Sequence, residues 1–180
     1  MHIYIVNGAP GSGKTTFENF IMDICKDDVY ILSTVDCVKA AAQLLGWDGS
    51  KTPKNRKFLS DLKDLWTEWD DGSVKYIKKR IENIKKSYEV YDMTDDQAVV
   101  FIDSREPEEI ERLKRELDAK TILIKREAGA DDKEILNHAD RDIELYDYEL
   151  TIENNDSLED FRKTAEAFTV VEGIKNTQEN

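Results

Sequence analysis

Hydrophobic and polar positions follow two rhythms along this 180-residue chain. Short apolar, β-branched runs give buried strands, and apolar residues spaced three and four apart give helices packed on one face. Ile3, Ile5 and Val6 with Tyr4 make the first strand, and Phe17, Phe20, Ile21, Ile24 and Cys25 the inner face of the first helix. A second strand is predicted over Val29–Val35, ending at Asp36. A short helix follows with Val38, Ala41, Ala42 and Leu45 inside and Gly46 as its stop. After a Gly-, Ser- and Pro-containing loop over 48–55 come two longer helical patterns, broken at Asp71-Gly72. The first carries Phe58, Leu62, Leu65, Trp66 and Trp69, and the second Val74, Ile77, Ile81, Ile84 and Tyr88. Both tryptophans fall on the apolar face of their helix, which favours core positions over a base-stacking platform.

Residues 98–103, AVVFID, form an apolar run without alternation, the pattern of a strand covered on both faces. A helix over 104–117 has Pro107 in its first turn, with Glu108 and Glu109 near its positive end. A strand over 120–125, a polar stretch over 126–147 and a strand over 149–152 come next. Ser157 with Asp160 resembles a capping box, opening a closing helix whose inner face holds Leu158, Phe161, Ala165 and Phe168. Strands alternating with helices in this way predict an α/β fold: a mainly parallel sheet with helices on both faces. The expected organisation is one domain over 1–172, with a core of 1–36, 98–125 and 149–172. A helical insertion of about 37–97, a lid of about 126–148 and a flexible tail over 173–180 complete it. Ligands of such sheets sit beyond the carboxyl ends of the strands, so both long connections leave from the binding edge.

The chemistry concentrates at the end of the first strand. Gly8-Ala9-Pro10-Gly11-Ser12-Gly13-Lys14-Thr15 fits the G-x-x-x-x-G-K-[ST] phosphate-binding loop, between a strand and a helix as that motif requires. Glycines at 8, 11 and 13 let successive amides turn inward toward a polyphosphate, and the helix that follows presents its unpaired N–H groups, Thr16 included. Lys14 has the reach to contact β- and γ-phosphates, and the Thr15 hydroxyl can ligate Mg²⁺. Asp103 closes an apolar strand, the form of an acid that holds the metal directly or through water. Hydrolytic relatives of this loop place Glu beside that Asp, but here Ser104 follows. A guanine-reading N-K-x-D string is also missing, its nearest approach being Asn137-His138-Ala139-Asp140. Both absences favour phosphoryl transfer to an acceptor over hydrolysis. Transfer requires cations to neutralise the moving phosphate, and Lys39, Arg56, Arg105, Arg126 and Arg141 lie near loop ends. Asp36, at a strand end, is either a contact to the acceptor or a helix N-cap.

A formal net charge of −13 disfavours nucleic acid as a partner and makes each local cation near an anion site significant. No apolar run approaches the ~20 residues of a membrane span, and the opening segment is a core strand rather than a leader peptide. Cys25 and Cys37 lack metal-ligand spacing, which excludes a zinc-stapled lid and fits two buried thiols of a reduced cytoplasm. Nothing in the chain fixes an oligomeric state.

The loop GAPGSGKTT over 8–16 resembles that of the P-loop nucleotide and nucleoside kinases. It is similar to adenylate kinases through GAPGSGK but departs at Thr15 and lacks their D-G-[FY]-P-R segment. Asp103-Ser104-Arg105 followed by Glu108 and Glu109, and ENNDSLEDF over 153–161, resemble phage-type deoxynucleoside monophosphate kinases. Val35-Asp36-Cys37-Val38-Lys39 with Arg56 is loosely similar to their acceptor segment. The resemblance implies a three-layer P-loop NTPase fold with strand order 2-3-1-4-5 and use of ATP and Mg²⁺. It also implies catalytic roles for Lys14, Arg105 and Arg126, and metal ligation by Thr15 and Asp103. Acceptor contacts would come from Asp36, Lys39, Arg56 and Arg105, and lid contacts from Arg126 and Arg141. The activity expected is ATP-dependent transfer to a (deoxy)nucleoside monophosphate. A nucleoside or dephospho-coenzyme A acceptor, or a P-loop ATP-binding protein without transfer chemistry, are the alternatives.

Overall fold

The structure, a computed structural model, describes residues 1–25, 28–127, 143 and 146–174. Five strands form one sheet: β1 (His2–Asn7), β2 (Val29–Ser33), β3 (Val99–Asp103), β4 (Lys120–Lys125) and β5 (Leu150–Glu153), in the order β2-β3-β1-β4-β5. β1 runs parallel to β3, with Val6 opposite Asp103, and parallel to β4, which in turn runs parallel to β5. The expected 2-3-1-4-5 order is therefore present. By contact density the residues divide into two compact units, Met1–Ile31 with Thr94–Asn180, and Leu32–Met93.

In the first unit β1 is the central strand, and the alternation of its side chains assigns the two layers around it. Tyr4 and Val6 face α1 (Lys14–Cys25), together with Val99, Phe101, Ile122 and Ile124 of the flanking strands. A final helix spans Leu158–Val171 on the same side, and Phe17 of α1 stands edge-on to its Phe168 at 5.3 Å and to Phe101 of β3 at 6.2 Å. Burying an aromatic side chain of this kind contributes ~1.5–3 kcal/mol. Ile5, Val100, Ile102 and Leu123 alternate to the opposite face, and all are buried. There the helix Pro107–Leu117 contacts β1 and β4 and buries Ile110 and Leu113. Its proline holds the first helical turn, with Glu108 and Glu109 at the positive end and Lys114 and Arg115 at the negative end.

Ser157 caps the closing helix as expected: its Oγ accepts from the Asp160 amide (3.2 Å) and donates to the Asp160 carboxylate (2.6 Å). Leu158, expected inside, is 66% exposed: it is the first residue of the helix, and burial along that face begins one turn later, at Phe161. At the other end Ile174 is buried in the core, so packing extends past the expected boundary at 172; residues 175–180 lie outside the described residues. Glu172 ties this end to the sheet, accepting from the Tyr4 hydroxyl (2.8 Å) and from Lys120 Nζ (2.6 Å). Burial alone would raise the Glu172 carboxyl, but the hydrogen bonds from Lys120 and Tyr4 outweigh it and hold the group below its ordinary range.

The second unit holds α2 (Asp36–Leu44), α3 (Pro53–Asp70) and α4 (Gly72–Val90). The strand predicted to reach Val35 stops at Ser33, and Thr34-Val35 form a turn instead. Thr52 caps α3 by accepting from the Asn55 amide at 3.2 Å, with Pro53 at the first helical position. Asp71 adopts the left-handed conformation (φ 53°) that ends α3 and starts α4. Gly72 beside it permits close packing: a Cβ there would lie 2.0 Å from the Trp66 indole. α4 buries Val74, Ile77, Ile81, Ile84 and Tyr88 as its spacing predicts, whereas α3 has no buried residue. We label the remaining helices α5 (Pro107–Leu117) and α6 (Leu158–Val171) in chain order.

Two stability measurements follow from this packing. Glu172→Gln should cost about 1–3 kcal/mol at pH 7, read as a shifted urea midpoint. Its folded pKa is depressed, so the carboxylate contributes fully above the ordinary Glu value of 4.5 and the contribution disappears as pH falls through the folded value. The gap between the two proteins should therefore close in acid. Gly72→Ala should destabilise by about 1–3 kcal/mol, since the indole has to move to admit the methyl.

Candidate active site

The segment between β1 and α1 turns on three glycines with positive φ: Gly8 (154°), Gly11 (79°) and Gly13 (105°). Two of them are also forced by contact. A Cβ on Gly8 would lie 2.4 Å from the Ile124 carbonyl oxygen, and one on Gly13 would lie 2.4 Å from the Asn154 amide nitrogen. Gly11 has open space around it, so there the positive φ alone demands glycine. The loop is pinned from beneath by side chains that the sequence reading passed over. Asn7 Oδ1 accepts from the Gly8 amide (2.8 Å), and its Nδ2 donates to the Tyr148 hydroxyl (2.7 Å) and to the Arg105 carbonyl (3.4 Å). Asn154 Nδ2 donates to the Ser12 carbonyl (2.8 Å), while its own amide donates to the Lys125 carbonyl (2.8 Å).

Because β1, β3, β4 and β5 are parallel, their carboxyl ends share one edge. That edge brings together the loop, Asp103 to Arg105, Lys125-Arg126 and Asn154. Lys14 opens α1 and folds over the loop, its Nζ donating to the carbonyls of Gly8 and Ala9 (3.3 Å for the latter). Thr15 and Thr16 follow in the first helical turn, Thr15 exposed, and Ala9 and Pro10 are exposed at the loop tip. Arg105 and Arg126 are both exposed at this edge. Arg141 lies outside the described residues, as does most of the segment expected to be a lid.

The donor set fits a magnesium-bound polyphosphate. The Thr15 hydroxyl and the Asp103 carboxylate are hard oxygen donors at adjoining strand and helix ends. The Ser12 hydroxyl, inside the glycine turn, is buried and has no hydrogen-bond partner among the described residues. Such a group in an amide-lined concavity is suited to an anion's oxygen.

One buried acid beside the loop escaped the sequence reading altogether. Glu18 is 1% exposed, and its Oε1 meets no hydrogen-bond donor among the described residues. Burial pushes its carboxyl up to about 8; Asp103 adds repulsion in the same direction, and Lys14 opposes both. The available signal was its spacing, three residues from Thr15 and Ile21 and four from Lys14, a charged position on the helix's inward stripe.

In the second unit, Asp36 begins α2 and accepts from the Ser33 amide (2.9 Å), while Val35 occupies the N-cap. Lys39 approaches the same carboxylate at 3.7 Å, one turn along. Arg56 is exposed in the first turns of α3. Between α2 and α3 lies an almost wholly apolar groove of about 500 Å³, lined by Cys37, Val38, Ala41, Leu62, Leu65, Trp66 and Trp69. This corrects the expectation for the tryptophan face and for the second thiol. Trp69 is 79% exposed, and Cys37 is half-buried on the groove wall, because the apolar stripe of α3 opens onto the groove.

No family model matches the sequence, and no curated protein matches it significantly. Among solved structures, a putative kinase from Chloroflexus aurantiacus J-10-fl is similar with a TM-score of 0.51 at 12% identity, over 97% of this chain and 97% of that one. A shikimate kinase from Bacteroides thetaiotaomicron aligns with a TM-score of 0.50 at 12% identity, over 96% of this chain and 98% of that one. At such identities the likeness concerns the fold alone: the chain has the three-layer P-loop fold of these proteins, with sheet order 2-3-1-4-5.

Proposed function

We propose that the protein transfers a phosphoryl group from ATP to a small-molecule acceptor, and that the acceptor is a (deoxy)nucleoside monophosphate. The observation that carries this reading is the glycine turn with Lys14 over it, beside an Asp that ends the neighbouring strand. In this reading the amides of Gly11 and of residues 13–16 hold the nucleotide phosphates, and Lys14 leaves the loop carbonyls to neutralise the phosphoryl in flight. Arg105, and Arg126 from the start of the lid, supply further positive charge at the shared edge. Thr15 and Asp103 hold Mg²⁺, which when bound screens the β- and γ-phosphate charge. Arg141 joins from the lid.

The acceptor side rests on the second unit. Its groove is within the size range of small-ligand pockets, and the helices lining it carry Asp36, Lys39 and Arg56. An apolar wall with cations and a carboxylate on the same helices suits a base together with a phosphate and sugar hydroxyls. The resemblance of Asp103-Ser104-Arg105 and of residues 153–161 to phage-type deoxynucleoside monophosphate kinases points the same way. The absence of nucleic-acid chemistry, from the net charge, and a cytoplasmic location belong to the same proposal. Among the described residues no helix is long and apolar enough to cross a membrane.

A coupled assay with Mg·ATP and a panel of nucleoside monophosphates, their deoxy forms, nucleosides and dephospho-coenzyme A tests the reading. Turnover is expected with the monophosphate class. Lys14→Ala should lower kcat/KM by about 10²–10³-fold, and Arg105→Ala should lower kcat by about 10²-fold with a smaller effect on the KM for ATP. ATP binding without turnover on any acceptor would sink the transfer reaction.

A further inference from the structure

The neighbourhood of Glu18 contains a group that the transfer scheme above leaves idle. Phe17 and Phe101 meet ring to ring, which sets the 17–18 turn of α1 over β3. Phe101 and Asp103 are two residues apart on that strand and so point to the same face, the one α1 covers. Glu18 also shares its helix face with Thr15, three residues earlier, and Lys14, four earlier. Two carboxyl groups and a hydroxyl thus converge from α1 and the end of β3.

A leucine or methionine at position 18 would fill the same space beside Phe17 and Ile21 without charge. A buried carboxyl whose Oε1 receives no hydrogen bond is costly there, and the neighbouring Asp103 adds to that cost. The positive group facing the pair, Lys14, already donates to the Gly8 and Ala9 carbonyls and is the side chain that turns to phosphates when a nucleotide binds. A divalent cation shared by the two carboxylates removes both penalties at once.

We propose that Glu18 is a ligand of the divalent cation, with Asp103 and Thr15, so that the protein holds the ion by three of its own side chains before any nucleotide arrives. The assignment rests on reading Thr15 and Asp103 as cation ligands, but not on transfer chemistry. The two can therefore fail separately.

The test is Mn²⁺ titration of the full-length, nucleotide-free protein, with free Mn²⁺ followed by electron paramagnetic resonance. Wild type should show one saturable site. Glu18→Gln, nearly isosteric, should weaken it at least tenfold, Asp103→Asn should do the same, and Glu18→Asp should recover part of the affinity. Mn²⁺ should also raise the wild-type melting temperature and leave that of Glu18→Gln unmoved. Circular dichroism of each variant before titration checks that it folds; if Glu18→Gln does not, the comparison of Glu18→Asp with wild type decides. No saturable site in wild type, or equal Mn²⁺ affinity in wild type and the folded Glu18 variants, would overturn the assignment and leave Glu18 a buried, protonated structural acid.

Discussion

The rest of the first unit is arranged around one glycine turn. A chain leaving β1 for α1 would ordinarily bury its amides in helix or sheet bonds. Here positive φ values at Gly8, Gly11 and Gly13 turn them into a concavity instead. That conformation is fastened by the bonds from Asn7 to Tyr148 and from Asn154 to Ser12. The floor under it is the carbonyl of Ile124, close enough to exclude any side chain at Gly8. The aromatic stack of Tyr4, Phe17, Phe101 and Phe168 then fixes α1 against the sheet, and with it the direction of the helix N-terminus.

Electrostatics follows from this geometry. The chain carries a formal charge of −13, yet Lys14, Arg105, Lys125 and Arg126 gather where β1, β3 and β4 end. A local cluster of one sign inside a field of the other is the arrangement that favours an anion at that edge. Parallel strand order produces that cluster, because it alone places residues about a hundred positions apart in sequence along one edge.

The elements with strong local rules were legible in the sequence. The glycine turn, the strand ending at Asp103, Pro107 at the head of α5 and the Ser157 cap are each specified within a few residues, and each is where its pattern placed it. What the sequence hid depends on partners far along the chain. Asn154 looks like any loop asparagine until it meets the Ser12 carbonyl 142 residues away. Glu18 stands on the inward stripe of its helix, but Asp103 becomes its neighbour only once β3 is laid against that helix. The tryptophan stripe of α3 failed in the opposite direction: periodicity identifies an apolar face but not whether protein covers it, and Trp69 stands 79% exposed. The polar stretch expected to form a lid falls mostly outside the described residues.

The bond from Asn154 to Ser12 has a consequence in time. The loop is written in the first tenth of the chain, but its clamp and the ring of Phe161 beside Gly13 come from the last fifth. Synthesis from the N-terminus therefore releases the motif long before it can take its final shape. The long separation between these contacts places completion of the site late in folding, after the closing strand has added to the sheet. A ribosome-bound chain ending short of β5 would hold every residue of the phosphate loop and still lack its geometry.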